Sequence, residues 1–235
     1  MTLVALVVSP LLGPFTWSRV AREMKRAGIE AVVASPQDSS DGPPWWEQHA
    51  ASVASVIRES SQAGPFVLVG HSGAGPLLPA IAAAAERPAA AYLFVDAGIP
   101  GEGGTRIEAM RREDPEFAAE LISALQRGER FPAWTLEDLE EVLPGEDDRR
   151  RLLREMRPRG LEFFTERIPT SAEWPDAPCG YIRLSPAYEV PASRAARLGW
   201  PVRRLEGGHF HMLVDPMTTA GTLLGVLADL EAGPA

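Results

Sequence analysis

Hydrophobic and polar positions along the chain follow two alternating periods. Leu3 to Val8 is an unbroken, largely β-branched apolar run that stops at Ser9-Pro10. It is too short for a helix and has the pattern of a strand buried on both faces of a parallel sheet. Ala31 to Ala34, Phe66 to Val69 and Ala91 to Val95 repeat that grammar, each ending at a turn signal. Between them lie stretches with helical spacing: Trp17 to Arg26, closed by Gly28, then Trp45 to Glu59, then Pro76 to Glu86. Strand and helix in strict succession predict right-handed crossovers and a parallel sheet.

The succession breaks after Asp96. From Gly101 to about Pro175 no strand pattern stands out, while Thr105 with Glu108 and Thr135 with Asp138 have the spacing of capping boxes that open helices. Alternation resumes with Gly180 to Leu184, a short helix near Ser193 to Leu198, a strand at Val202 to Leu205 and a helix from about Pro216 to Leu230. The expectation is an α/β core of residues 1–100 and 176–235, with helices on both faces of its sheet and a helical cap inserted at 101–175.

Composition narrows the function. Over 235 residues, 45% are hydrophobic and 23% charged, ordinary for one globular unit with a sizeable core. A net charge of -9 argues against nucleic acid as a partner, because phosphate binding needs clustered Lys and Arg. No apolar run approaches the length that spans a bilayer, and Thr2 to Val8 lacks a basic flank and a cleavage site, so no membrane is expected and the cytoplasm is the expected location. The single cysteine, Cys179, excludes an intrachain disulfide and a cysteine metal cluster. Neither metal nor cofactor is expected, the partner is a small-molecule substrate, and a homodimer is left open.

Chemistry concentrates where Phe66 to Val69 runs into Gly70-His71-Ser72-Gly73-Ala74-Gly75. A strand turning sharply into a helix presents the residue at the turn, here Ser72, at the carboxyl edge of the sheet; small neighbours let the two backbones approach. The Gly73 N–H, at the start of that helix, is a candidate donor to a developing oxyanion. Downstream, Gly207-Gly208-His209 lies in the loop between the last strand and the last helix, from which an imidazole can reach Ser72 as general base. His211 is the competing base, and the double glycine favours His209. A metal site from these two histidines lacks further ligands at suitable spacing. The acid that orients the histidine is expected at Glu189, after the strand Gly180 to Leu184, with Asp96 as the alternative. His71, Leu12 and Trp134 are candidate pocket residues.

Assembled in this order, Val69-Gly70-His71-Ser72-Gly73, Gly207-Gly208-His209-Phe210, Asp215-Pro216 and Trp17 resemble the α/β-hydrolase superfamily, especially small hydrolases with a short helical cap. The resemblance implies a serine-histidine-acid triad and an oxyanion hole of two backbone N–H groups, which map here to Gly73 and Leu11. Two departures stand out. The loop after the first strand reads Ser9-Pro10-Leu11-Leu12-Gly13-Pro14 where the family usually has a His-Gly pair, and the chain begins at the first parallel strand, so about six strands are expected instead of eight.

The inserted segment carries Phe117, Phe131, Trp134, Phe163 and Phe164, aromatic residues suited to an apolar pocket or to the packing of the cap itself. An ester, thioester or lactone of a small, moderately apolar molecule, cleaved through an acyl-enzyme on Ser72, is the expected substrate class. A lyase, cyclase or cofactor-free oxygenase using the same pocket, or a catalytically silent ligand-binding protein, are the alternatives.

Overall fold

The computed structural model describes residues 2–40, 42–60, 64–101, 104–171 and 173–233. Six strands form one parallel sheet: β1 (Leu3–Val7), β2 (Ala31–Ala34), β3 (Phe66–Ser72), β4 (Ala89–Ala97), β5 (Cys179–Arg183) and β6 (Val202–Arg204), in the order β2-β1-β3-β4-β5-β6. The direction of strand addition reverses at β1, so the ends of β1 and β3 open a crevice between them, the usual place for a ligand in such sheets.

Side chains on a strand point alternately to opposite faces, and both faces are covered. Leu3, Ala5, Val7, Phe66, Leu68, Tyr92 and Phe94 share one cluster with residues of α2 (Trp45–Glu59), α3 (Leu78–Ala85) and α8 (Glu189–Arg197). Val4, Leu6, Val67, Val69, Leu93 and Val95 pack on the other side with α1 (Phe15–Arg26) and α10 (Pro216–Ala232). This double burial is why β1 and the first parts of β3 and β4 read as continuous apolar runs rather than alternating ones. Trp17, fully buried in α1, fixes that helix to the sheet by donating its indole N–H to the Val7 carbonyl at 3.0 Å.

Between β4 and β5 the chain forms α4 (Arg106–Glu113), α5 (Pro115–Gln126), α6 (Glu146–Arg154) and α7 (Leu161–Thr165), followed after β6 by the single turn α9 (His211–Val214). Thr105 and Glu108 form the capping box that opens α4. Thr135 and Asp138 also exchange bonds, at 2.8 and 3.3 Å, but turns and not a helix follow.

The inserted segment is tied to the core by helix capping. Pro14 and Pro44 stand at the N-caps of α1 and α2 and offer no side-chain acceptor for the free N–H groups of the first turn. Carboxylates from the insert supply it. Glu155 accepts from the Phe15 N–H at 2.8 Å, and Glu166 accepts from the N–H groups of Trp45 and Trp46 at 2.5 and 3.1 Å. Arg157 donates its backbone N–H to the Leu11 carbonyl at 2.9 Å and a guanidinium N–H to the Pro36 carbonyl at 2.7 Å. Arg159 grips Asp38, which also bonds the ring of the buried His49 at 2.8 Å.

Glu166 carries a second duty, lying 3.5 Å from the guanidinium of Arg106 with both side chains almost out of solvent. Removing the acid leaves a buried cation unmatched, a cost of about 3–5 kcal/mol, whereas losing a helix cap costs about 1 kcal/mol. Glu166→Ala is therefore expected to lower the unfolding free energy in urea by several times the effect of Glu155→Ala.

Candidate active site

The β3–α3 junction is built by sterics. Ser72 has φ 56°, in the left-handed region that few non-glycine residues occupy. A Cβ on Gly70 would come within 2.9 Å of Leu78, and one on Gly75 would sit 2.2 Å from the Gly98 carbonyl oxygen. Glycine at these two positions is what allows helix and strand to close around Ser72. Ala74, fully buried, is small enough for its place. The Gly73 N–H has no intramolecular acceptor among the described residues.

A second distortion faces the first. In the pairing of β3 with β4, His71 lies opposite Val95 and Ser72 opposite Ala97, so Asp96 is an extra residue in a bulge, with φ 41°. The ladder groups of Ala97 that the bulge displaces both bond the Tyr181 hydroxyl, at 3.2 Å for the N–H and 2.9 Å for the carbonyl. The Asp96 side chain is fully buried and its carboxylate is filled: Leu184 N–H at 2.5 Å, Ser185 N–H at 3.1 Å, Ser185 Oγ at 2.6 Å and His209 Nδ1 at 3.1 Å. With Nδ1 donating to the carboxylate, the tautomer leaves Nε2 as an acceptor.

The carboxylate on His209 is thus Asp96, and the expectation of Glu189 is corrected. Glu189 opens α8 on the outer side of the sheet, where it binds Ser193, Arg183 and Arg204 and is 46% exposed. The hydrogen bond from Arg204 leads the causes that draw its pKa down to about 2. Ser185, at the end of β5, occupies the position from which an acid was expected and bonds Asp96 instead.

His71 also departs from expectation. It is fully buried behind the site and does not line the pocket; its Nε2–H donates to the His209 carbonyl at 3.0 Å while its ring meets the edge of Trp17. Burial, reinforced by the nearby His209, pushes its pKa well below that of a free histidine, so the ring is neutral. Its part is to hold the His209 loop. His211 lies one turn further, on α9, and is absent from the pocket wall.

Ser72 and His209 open into one cavity of about 370 Å³, with Ser9, Leu11, Leu12 and Gly73 at one side and Phe131, Trp134, Phe163 and Phe164 of the insert above. Leu12 and Trp134 both line this cavity. The Leu11 N–H points at Ser9 Oγ over a long 3.4 Å, so it is only weakly engaged. Ser9 itself is fully buried beside Gly73 and was not anticipated.

Neither was Tyr188. Its ring stacks on His209 with centroids 5.1 Å apart and planes 2° from parallel. Burial raises the phenol pKa, partly offset by the nearby Ser72 side chain, so the hydroxyl stays protonated beside Ser72. Tyr188 adjoins Glu189 in sequence, yet nothing in a lone tyrosine after a strand marks it. No group of three or more His, Cys, Asp or Glu side chains gathers to hold a metal ion among the described residues, and no helix there is long and apolar enough to cross a membrane.

A parallel α/β sheet with a serine on a strained strand-helix turn, and a carboxylate-bound histidine delivered by the last loop, defines a class of fold and site. The chain belongs to the alpha/beta hydrolase family, whose sequence model matches residues 9–221. No curated protein sequence matches it. Similar solved structures include an extracellular α/β-hydrolase from a Paenibacillus species, with a TM-score of 0.78 at 15% identity over 96% of this chain and 99% of that one. Polyneuridine aldehyde esterase aligns with a TM-score of 0.71 at 15% identity, covering 96% and 99%. A methylesterase from Arabidopsis aligns with a TM-score of 0.66 at 15% identity, covering 98% and 100%. At these identities the likeness is one of fold.

His49 and His71 make stability depend on pH with a defined sign. Burial lowers the His49 pKa to about 4 from 6.5, so the unfolded chain takes up its proton first as pH falls. Stability from this group is complete above pH 6.5 and is lost between 6.5 and about 4, by roughly 3 kcal/mol. His71 acts with the same sign. Urea midpoints should fall steadily over that interval, and His49→Gln should flatten the fall.

Proposed function

We propose that this chain is a serine hydrolase that cleaves an ester, thioester or lactone of a small, moderately apolar molecule through an acyl-enzyme on Ser72. The single observation that carries the reading is the Asp96–His209 hydrogen bond of 3.1 Å, made at the wall of the same cavity that Ser72 enters from its strained turn.

In this mechanism His209 Nε2 removes the Ser72 proton as Oγ attacks the carbonyl carbon. Asp96 fixes the imidazole tautomer and stabilises the imidazolium that forms; its bonds from Leu184 and Ser185 hold the carboxylate in place. The developing oxyanion is met by the free Gly73 N–H and by the Leu11 N–H, which leaves its long bond to Ser9 Oγ at little cost. His209 then protonates the departing alcohol or thiol, and a water activated by the same nitrogen releases the acid. The Tyr188 phenol orients Ser72 Oγ, and its flat stack on His209 limits rotation of the ring.

The pocket supports the substrate class. Its aromatic and aliphatic walls favour an apolar acyl or alcohol portion, and its volume suits a small molecule.

A fluorophosphonate probe is expected to label the native protein and to leave Ser72→Ala unlabelled, with p-nitrophenyl acetate turnover lost in the variant. Asp96→Asn should lower kcat by two to four orders of magnitude, on the order seen when a histidine loses its orienting acid, while Glu189→Gln changes it by less than about three-fold. Equal, small effects of the two acid variants, or unchanged turnover in Ser72→Ala, would overturn the mechanism.

A further inference from the structure

The face that α4 turns to the cavity has helical spacing: Arg106, Ala109, Met110 and Glu113. Most charged groups around this wall are engaged, although buried Arg106 keeps Nε and Nη2 without a hydrogen-bond partner. Asp96 is filled as described. Arg106 donates to the Phe163 carbonyl at 3.0 Å, lies over the Phe163 ring at 3.9 Å and faces Glu166. Asp114 caps α5 by accepting from the Phe117 N–H at 3.0 Å. Glu113 forms no hydrogen bond and no ion pair within 4 Å among the described residues; it is half-buried, and Arg112 and Arg194 act on it only at longer range.

Two physical arguments say this placement does not serve stability. A carboxyl taken from water without a partner either carries a desolvation cost or gives up its charge, and burial does raise the Glu113 pKa against the opposing pull of Arg112 and Arg194. Glu113 is also the last residue of α4, the end where the helix dipole disfavours a negative group. A leucine or glutamine there would be the more stable choice.

Its position is close to the chemistry. Glu113 Oε1 lies 3.8 Å from where a Cβ on Gly98 would stand, two residues past Asp96, and its charge is felt by Tyr188, whose phenol lies beside Ser72. Phe117, Phe131 and Trp134 line the same cavity. A spare carboxylate together with aromatic faces is the combination that recognises an ammonium group. The net charge of -9 favours arrival of a cation over an anion.

We propose that Glu113 is the specificity-determining residue of this pocket and that the substrate is an ester bearing a protonated amine a few bonds from the scissile carbonyl. This rests on the hydrolase reading of Ser72. The amine supplies the partner that Glu113 lacks, while the hydrocarbon around it is taken up by the aromatic wall.

The test uses pairs of esters that differ by one nitrogen. On the alcohol side they are 2-(dimethylamino)ethyl butyrate and 3-methylbutyl butyrate; on the acyl side, methyl 4-(dimethylamino)butyrate and methyl 5-methylhexanoate. For at least one pair, kcat/KM is expected to favour the amine by about ten-fold or more, the worth of one charge-assisted bond, and Glu113→Gln should abolish that preference. Whichever pair shows it identifies the side of the ester that Glu113 reads. A wild-type preference for the neutral ester in both pairs, or an amine preference that Glu113→Gln leaves intact, overturns the proposal.

Calorimetric titration of Ser72→Ala with the same four esters separates this inference from the hydrolase reading. Tighter binding of an amine ester, lost in Ser72→Ala/Glu113→Gln, supports recognition by Glu113 even if no ester is turned over. Equal binding within each pair overturns it. Circular dichroism melting of each variant confirms that the comparison is made between folded proteins.

Discussion

The carboxyl edge of the sheet is organised by one buried carboxylate, Asp96, and by the bulge that aims it. An extra residue between Val95 and Ala97 shifts the β3–β4 register at the point where β3 bends into the serine turn. The left-handed backbone at Asp96 costs roughly 1–2 kcal/mol, and four hydrogen bonds to a buried acceptor offset it. Those bonds join β4 to the end of β5 and to the loop of His209, so three separate pieces of chain are referenced to one group. His71 completes the frame by holding the His209 carbonyl from below.

Stability and access to the pocket are linked through the inserted segment. Proline at both N-caps leaves α1 and α2 without local acceptors, and Glu155 and Glu166 reach across to supply them. The same segment carries Phe131, Trp134, Phe163 and Phe164 into the cavity wall. The elements that cover the site cannot swing away as a unit without exposing the first turns of two core helices. Substrate entry is therefore expected to involve side chains and the α4–α5 corner rather than the whole insert. Glu113 and Phe117 lie at that corner.

Local rules made much of the chain legible. Continuous apolar runs ending in turn signals marked the strands, because burial on both faces removes any need for polar alternation. Four such runs mark β1 to β4, while β5 and β6, which carry Arg183, Arg203 and Arg204, are marked by the alternation that resumes after the insert. The serine turn was legible as well, since Gly70 and Gly75 answer a steric demand that acts over a few residues, and the glycine pair before His209 marked its loop. Thr135 with Asp138 shows where a local rule falls short: the bonds of a capping box form, but turns and not a helix follow.

The acid was beyond such rules. Asp96 and Glu189 both follow strands that come after the serine, and choosing between them requires knowing which is bulged inward and which faces the arginines of β5 and β6. That is a property of strand register and neighbouring charge, and neither leaves a periodic trace. Tyr188, Ser9 and Glu113 escaped notice for the same reason, because each draws its importance from residues remote in the chain. The sequence by itself determined the sheet, the turn and the two residues, Ser72 and His209, that short-range geometry presents. Only the tertiary structure decided which carboxylate holds the histidine and which one turns an unpaired group to the cavity, because pairing between distant charges is set by packing and not by order along the chain.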